Sequence, residues 1–169
     1  MPTARQVIDA LALQPHPVEG GYFRETYRSV HRVPAGALPP GYTAERSVGT
    51  AIYYLITADN FSALHRLPTE EVFHFYLGSP VQMLQLFPDG TGRVVTLGSD
   101  VLAGQQPQVV VPAGVWQGSF IVPGGEFALL GATMAPGFDY ADYEAGDRDQ
   151  LAAAYPAYAD LIRRLTRGP

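Results

Sequence analysis

Short β-rich runs, cut by turn residues at close and regular spacing, make up most of the chain after residue 47. These runs cover residues 48–57, 61–67, 71–77, 81–87, 92–98, 108–111, 115–122 and 127–134. The Asp89-Gly90 dipeptide between two of them is the clearest hairpin signal. About eight short strands separated by such turn residues predict an all-β fold, either an antiparallel sandwich or a barrel.

The N-terminal part of the chain combines a helical pattern with one further strand. Thr3 followed by Gln6 fits a capping box, which predicts a short helix that stops at Pro15. A strand is predicted over residues 22–29, after a Gly-Gly pair. Residues 31–46 show no periodicity and contain several prolines and glycines, so we expect a loop there that could act as a flap.

The C-terminal part predicts a second helical region, over about residues 146–167. Asp147 or Asp149 can cap a helix, and the apolar residues that follow recur at helical spacing. Because Pro156 falls inside this pattern, we expect a break or two helices instead of one rod.

Composition narrows this picture to one compact domain. The chain has 169 residues, of which 47% are hydrophobic and only 16% are charged. Such a chain is long enough for one sizeable core and too apolar to be disordered. We therefore predict a single domain over residues 1–169, with the barrel over about 18–137.

Charge and cysteine content exclude several classes of function. The net charge of −5 argues against a nucleic-acid-binding protein. The absence of cysteine excludes thiolate catalysis, cysteine-based zinc sites and disulfides. No segment resembles a signal peptide, and no apolar run approaches the roughly 20 residues that span a bilayer. We expect a cytoplasmic protein with no membrane partner.

The candidate chemistry lies in residues 65–78, where two of the four histidines stand close to two adjacent carboxylates. Strand alternation puts Glu71, Phe73 and Phe75 on one face. It puts His74 and Tyr76, with Val72, on the other. Ionisable groups among apolar residues have shifted pKa values, which suits them to proton transfer or polar recognition.

The spacing of these residues resembles that of the cupin superfamily. Its first motif is G-x5-H-x-H-x3,4-E-x6-G, matched here by His65, Glu71 and Gly78. Its second is G-x5-P-x-G-x2-H-x3-N, matched here by Pro112 and Gly114. The remaining motif positions depart from the family pattern; they are occupied by Asp59, Leu67, Gln106, Gln117 and Ile121.

A narrower resemblance is to the uncharacterised Cupin_5 subfamily, the domain of unknown function 985. It rests on residues 16–28, 62–67, 71–78, 112–117 and 135–140, which follow one another in order. The resemblance implies a cupin jelly-roll barrel of antiparallel strands, with short N-terminal and C-terminal helices beside it. It also implies a ligand-sized cavity, a homodimer built partly from N-terminal strands, and a relation in fold to nucleotide-sugar epimerases and seed-storage cupins.

The same resemblance bears on the cofactor. Cupins with three histidines and a glutamate hold iron, manganese or similar ions, whereas this chain keeps only His65 and Glu71 of that set. Gln117 would add a weak neutral oxygen donor, and a tight transition-metal site usually needs three or more good ligands. We therefore favour no cofactor. A divalent metal held by His65, Glu71 and Gln117, with His74 as a further candidate, is the alternative.

Other residues are candidates for ligand binding. Glu19, Tyr22 and Arg24 stand beside the Gly-Gly entry to a strand, where the arginine could bind a carboxylate or phosphate. A surface ion pair with Glu25 or a dimer contact is the alternative, and the sequence slightly favours it. Four more candidates come from the cupin motifs, although the aromatic ones also suit simple packing: Phe75, His74, Trp116 and Gln117.

Three functions remain open at this stage. The first is a metal-independent epimerase, isomerase or dehydratase for a sugar-like or nucleotide-sugar-like ligand. In it His65 is the general base, Glu71 is its partner, and Tyr76 or Gln117 holds the developing oxyanion. The second is a mononuclear metal enzyme. The third is a ligand-binding or storage-like protein without catalytic activity.

Overall fold

The computed structural model describes residues 2–168, which form two antiparallel β-sheets packed face to face. In spatial order the larger sheet contains β1 (Gln14–Pro15), β2 (Tyr22–Arg28), β5 (Thr50–Thr57), β12 (Phe127–Met134), β7 (Glu71–Gly78) and β10 (Gln108–Val111). The smaller sheet contains β13 (Glu144–Ala145), β6 (Ser62–Arg66), β11 (Trp116–Ile121), β8 (Val81–Leu86) and β9 (Gly92–Leu97). The predicted all-β, antiparallel jelly roll is confirmed.

The predicted loop at residues 31–46 contains a two-stranded ribbon that the sequence pattern did not show. This ribbon pairs β3 (Arg32–Val33) with β4 (Arg46–Ser47). The buried Arg46 guanidinium also makes two hydrogen bonds to the Asp142 carboxylate, one of them 2.7 Å long. The end of the loop is therefore held to a segment almost a hundred residues later in the chain.

Three short helices flank the sheets, and their termini follow the local sequence. Helix α1 (Ala4–Ala10) begins with the predicted capping box of Thr3 and Gln6. Helix α2 (Arg148–Ala154) is capped by Asp147. A 3₁₀ turn beginning at Pro156 separates it from α3 (Ala159–Leu165), as the proline predicted. Within residues 2–168 no helix is long and apolar enough to cross a membrane.

Three apolar clusters hold the layers together. The main one lies between the two sheets and includes Tyr54, Phe73 and Leu130. A second attaches α2 and α3 to the outer face of the smaller sheet through Leu151 and Ile162. The third packs α1 against the outer face of the larger sheet. Because both outer faces are covered in part by helices, a cavity inside the barrel is shielded from solvent on two sides.

Gly78, the closing glycine of the cupin motif, has a backbone that tolerates no side chain. Its φ is +104°, and a Cβ placed there would meet the carbonyl oxygen of Phe127 at 2.3 Å. Gly90 also has a positive φ, of +86°, but a Cβ there would meet nothing within 4 Å. The two glycines therefore separate backbone strain from steric overlap.

We expect Gly90→Ala to lower the free energy of unfolding by about 1 kcal/mol through backbone strain alone. Gly78→Ala should cost a further 1–3 kcal/mol, roughly, because the neighbouring strand must move. Urea denaturation of both variants checks this. Equal losses of unfolding free energy in the two variants would show that the contact of the new side chain at residue 78 with Phe127 costs no stability.

Candidate functional site

A cavity of about 260 Å³ opens between the sheets at one end of the barrel. Its apolar wall is formed mainly by β2, β5 and β12 of the larger sheet, and includes Phe23, Ile52 and Ala132. Its ionisable groups come from the turn after β1, from strands β2 and β6, from the start of β7 and from the segment after β12. The cavity is thus apolar over most of its surface, with a few polar groups directed into it.

His65 on β6 is 2% exposed, and a backbone contact determines which ring nitrogen carries the proton. Its Nδ1 lies 2.7 Å from the carbonyl oxygen of Ala63, which can only accept a hydrogen bond. Nδ1 is therefore protonated, and neutral His65 has its lone pair on Nε2. The Tyr143 ring stacks on the imidazole with centroids 4.9 Å apart, which holds its plane in place.

Glu71 is the buried carboxylate of the cavity. Gln117 on β11 donates a hydrogen bond from Nε2 to Glu71 Oε2, 2.7 Å long, and the same glutamine pairs with His65 across neighbouring strands. The pKa of Glu71 is raised to about 7, mainly by burial and also by the nearby Glu19 carboxylate, while His65 and Gln117 oppose the rise. Both protonation states of Glu71 are therefore accessible near neutral pH.

The turn between β1 and β2 supplies two more polar groups, His16 and Glu19. Glu19 accepts a hydrogen bond from the hydroxyl of Ser62 through Oε1. Its other oxygen, Oε2, lies 3.9 Å from His65 Nε2 and 4.0 Å from His16 Nε2. Burial lowers the pKa of His16. The site thus contains two imidazoles on either side of one carboxylate oxygen.

The cavity mouth is bordered by an ion pair and by the segment that follows β12. Arg28 donates to both carboxylate oxygens of Glu25, at 2.9 and 2.8 Å, and to the carbonyl oxygen of Phe138 at 3.0 Å. Tyr140, from the same segment as Phe138, also lines the cavity. The Arg28 side chain therefore links β2 to the segment that borders the opening.

Comparison with known proteins identifies the family. The sequence profile of the family Cupin_5, described as Cupin superfamily (DUF985), matches residues 5–146. The chain belongs to the Cupin_5 family. An uncharacterized protein of Saccharomyces cerevisiae is 33% identical over 133 residues, which make up 74% of this chain and 66% of that protein. The chain therefore spans slightly less than two thirds of that relative.

Two solved structures share the whole fold. A hypothetical protein from Leishmania major is 32% identical, with a TM-score of 0.89 over 99% of this chain and 100% of that one. A protein from Shewanella oneidensis is also 32% identical, with a TM-score of 0.86 over 100% of both chains. These similarities confirm the Cupin_5 resemblance and the barrel, and none of the three descriptions names an activity.

The Cupin_5 cavity brings together some of the predicted site residues. His65, Glu71 and Glu19 line it, and Gln117 reaches it through its hydrogen bond to Glu71. Phe75 lies on the inner face of β7, where it packs against the main core next to the cavity. The predicted alternation of inner and outer residues in this strand is confirmed for Glu71 and Phe73, which are buried.

Tyr76 and His74 require a correction, because both lie on the outer face of the larger sheet. Tyr76 is 50% exposed and contacts Tyr53 edge to face, with centroids 6.0 Å apart. His74 lies 3.0 Å from the hydroxyl of Thr133 through Nε2. The barrel wall separates both side chains from the cavity, so Tyr76 does not hold an oxyanion beside His65 and His74 does not bind a cavity ligand.

Tyr22, Arg24 and Trp116 also lie outside the cavity. Tyr22 packs under α1, and the Arg24 guanidinium lies over the Tyr53 ring, 5.6 Å from its centroid. Trp116 lies beneath the guanidinium of Arg66 at 4.6 Å. For Tyr22 and Arg24, strand alternation explains this placement, because Phe23 and Glu25 take the inward positions of β2.

An irregularity in β2 determines which arginine reaches the cavity. The pairing of β2 with β5 shifts between Glu25 and Tyr27, so Thr50 faces Arg28 and regular alternation ends. Arg28 therefore joins Glu25 on the cavity side, whereas uninterrupted strand alternation would place it on the same face as Arg24. Sequence reasoning also missed His16. Its position three residues before Glu19, in a chain with only four histidines, was the available signal.

The residues present do not fit the four-ligand metal site of other cupins. Leu67 supplies no donor atom, and Gln117 directs its amide nitrogen toward Glu71 instead of offering an oxygen. Across residues 2–168 no group of three or more His, Cys, Asp or Glu side chains is arranged to hold a metal ion.

The raised pKa of Glu71 makes stability depend on pH. Because the pKa rises from 4.5 to about 7 on folding, the folded protein holds this proton more tightly than the unfolded chain. The resulting stabilisation is complete below the unfolded pKa and is lost as the pH rises through about 7. In Glu71→Gln the amide is always neutral and its oxygen still accepts from Gln117.

We therefore expect the stability of the wild type to fall relative to Glu71→Gln by about 3 kcal/mol between about pH 4 and about pH 8. Urea denaturation at both pH values measures the difference. Glu126→Gln, on an exposed turn, is the matched control and should follow the wild type. Parallel pH profiles for the wild type and Glu71→Gln would contradict the raised pKa.

Proposed function

We propose that this Cupin_5 protein binds a small polar molecule in the cavity and removes a proton from it with Nε2 of His65. The observation that carries this proposal is the hydrogen bond between His65 Nδ1 and the Ala63 carbonyl. It leaves an imidazole lone pair for the cavity side, where Nε2 lies 3.9 Å from Glu19. A neutral imidazole held in one tautomer is the common general base of enzymes.

Glu71 is the second proton-transfer group in this proposal. A carboxyl group with a pKa of about 7 can donate a proton near neutral pH and take it back afterwards. Gln117 keeps Glu71 in position through their hydrogen bond. This role for Gln117 replaces direct binding of an oxyanion, because its amide nitrogen is already engaged.

The reaction class that uses both groups is proton exchange at a carbon next to a carbonyl. His65 Nε2 takes the proton from carbon, and the electron pair of that C–H bond moves toward the carbonyl oxygen. Protonated Glu71 gives its proton to this oxygen, and an enol results, which is an enediol where the deprotonated carbon carries a hydroxyl group. Return of a proton to either carbon completes an isomerisation or epimerisation, and loss of a neighbouring hydroxyl as water gives a dehydration.

Exchange of hydrogen for deuterium tests this reaction without knowledge of the natural substrate. The protein is incubated in D₂O with hydroxy-carbonyl compounds of graded size: dihydroxyacetone, glyceraldehyde, fructose and glucose. Proton NMR follows loss of the signal at the carbon next to the carbonyl. We expect the wild type to catalyse exchange of at least one compound, and His65→Ala to slow it by roughly 10²–10⁴-fold.

His31→Ala provides the matched control, since His31 is an exposed histidine in the loop before β4 and should exchange at the wild-type rate. Equal exchange in His65→Ala would remove His65 as the base. No exchange of any compound by the wild type would favour the ligand-binding alternative. A stoichiometric divalent ion in protein purified without chelator would favour the metal enzyme.

We also propose that the protein is a homodimer through the end of β2. The hydrogen bonds Ser29 N–Gly49 O and Val48 N–His31 O join the segment after β2 to the segment before β5. Three apolar side chains from these segments are exposed, and Val30 reaches 89% exposure; they are Tyr27, Val30 and Val48. Such a patch is typical of a protein–protein contact.

Sedimentation velocity at micromolar concentration tests the dimer. We expect a dimer for the wild type and a monomer for the Val30→Asp/Val48→Asp double variant, because buried carboxylates would destabilise the contact. Leu102→Asp is the control, since Leu102 is an exposed apolar residue that lies on the turn after β9, away from this patch. A monomeric wild type would contradict the proposal.

A further inference from the structure

His16 is a polar group of the cavity whose ring is oriented by the backbone. Its Nδ1 accepts hydrogen bonds from the backbone N–H groups of Val18 at 3.3 Å and Glu19 at 2.9 Å. An acceptor at Nδ1 requires the proton of the neutral ring to be on Nε2. The side chain is 6% exposed, and burial lowers its pKa, so the neutral form is favoured.

The Nε2–H group of His16 is therefore a hydrogen-bond donor directed toward Glu19. The distance from His16 Nε2 to Glu19 Oε2 is 4.0 Å, which is well beyond the roughly 2.7–3.2 Å of a direct hydrogen bond. Among residues 2–168 this N–H group has no hydrogen-bond acceptor. Its hydrogen-bonding capacity is available to a ligand in the cavity.

His65 presents the opposite tautomer to the same carboxylate oxygen. Its unprotonated Nε2 lies 3.9 Å from Glu19 Oε2, again too far for a direct bond. A ligand atom near Glu19 Oε2 would consequently meet one donor, His16 Nε2–H, and two acceptors, Glu19 Oε2 and His65 Nε2. This combination discriminates between polar groups.

A hydroxyl group matches these three neighbours. Its oxygen can accept from His16, while its hydrogen is donated to Glu19 or His65. A carboxylate or phosphate has acceptors only and would place its charge against Glu19. An ammonium group has donors only and would face the N–H of His16. Each of these charged groups leaves at least one buried polar contact repulsive.

Within residues 2–168 the cavity lining places no cation at this position; Arg167 lies outside the lining, beside Gly20, and adds to burial in lowering the pKa of His16. Arg28 is the one arginine among the described residues that line the cavity, and two of its nitrogens are bonded to Glu25 at the mouth. The inner groups are Glu19, Glu71 and the two imidazoles. The electrostatic balance inside is therefore neutral to negative.

We propose that the ligand of this cavity is an uncharged hydroxylated compound that places one hydroxyl group between His16 and Glu19, next to His65 Nε2. The inference rests on the proposed function in placing the ligand in this cavity. It assigns His16 as a binding residue and makes free polyols and sugars the ligand class, in preference to sugar acids, sugar phosphates and nucleotide sugars.

The test compares compounds that differ only in one group. D-glucose is paired with D-glucuronate, and glycerol with glycerate. The probe is the protein with ¹⁵N-labelled histidine rings, observed by long-range ¹H–¹⁵N NMR, which reports the tautomer and the surroundings of each nitrogen. We expect opposite tautomers for His16 and His65. In at least one pair the neutral compound should shift the His16 signals. Its affinity should be at least about tenfold higher than that of the acid.

Two variants assign the effect to its residues. Glu19→Gln removes the negative charge and should reduce the preference for the neutral compound to roughly threefold or less. His16→Asn can keep an acceptor for the backbone of Val18 and Glu19 but lacks the N–H at the position of Nε2. This variant should weaken binding of the neutral compound by at least about fivefold. Its thermal unfolding transition checks that it is folded.

The proposal is overturned if the acids bind as tightly as the neutral compounds, if no compound shifts the His16 signals, or if both histidines show the same tautomer. These measurements on the wild type do not depend on the folding of any variant. They are also independent of deuterium exchange. Selective binding without exchange would contradict the proton-transfer function alone, and exchange without selectivity would contradict only the hydroxyl-binding inference.

Discussion

The hydrogen bond from Gln117 to Glu71 is the interaction on which the interior of this barrel depends. Glu71 begins a strand of the larger sheet and Gln117 lies in the smaller sheet, so the bond joins the two layers across the interior. A carboxylate buried among apolar side chains is costly unless it is protonated or hydrogen-bonded. Here both effects operate, because the amide donates to Glu71 while burial raises its pKa to about 7. Burial of Glu71 therefore lowers the stability of the fold at high pH, and it also provides a group that can exchange protons near neutral pH.

Segments far apart in the chain close the site around this bond. The segment after β12 provides Phe138 and Tyr140 at the mouth, then Tyr143 stacked on His65, and then the short strand β13 paired with β6. The ion pair of Arg46 with Asp142 attaches the early loop to this segment. The enclosed position of His65 therefore depends on the last third of the chain as much as on its own strand. Leu67 and Gln117 stand where the cupin metal motif has histidines.

The sequence alone predicted the candidate site in part. His65 and Glu71 were found because their spacing matched the cupin motif, and strand alternation placed Glu71 inward correctly. Alternation also separated Glu71 from Tyr76 and His74, so their assignment to the same ligand contradicted the pattern that the sequence itself showed. Arg28 was not predictable, because a shift in pairing within β2 reversed its side of the sheet. His16 was missed although it lies three residues before Glu19, because its ring is oriented by two backbone N–H groups that donate to Nδ1, and spacing alone does not show that contact.

Local chemistry determined the elements of this protein, and long-range packing determined the site. The capping box at Thr3, the break at Pro156 and the turn at Gly90 were all readable, because each involves neighbours in the chain whose conformational preferences are intrinsic. The meeting of Glu19, His65 and Glu71 around one cavity required two sheets to pack face to face. Only that packing decided which side chains are buried, and burial raised the pKa of Glu71 and left hydrogen-bonding groups facing the cavity.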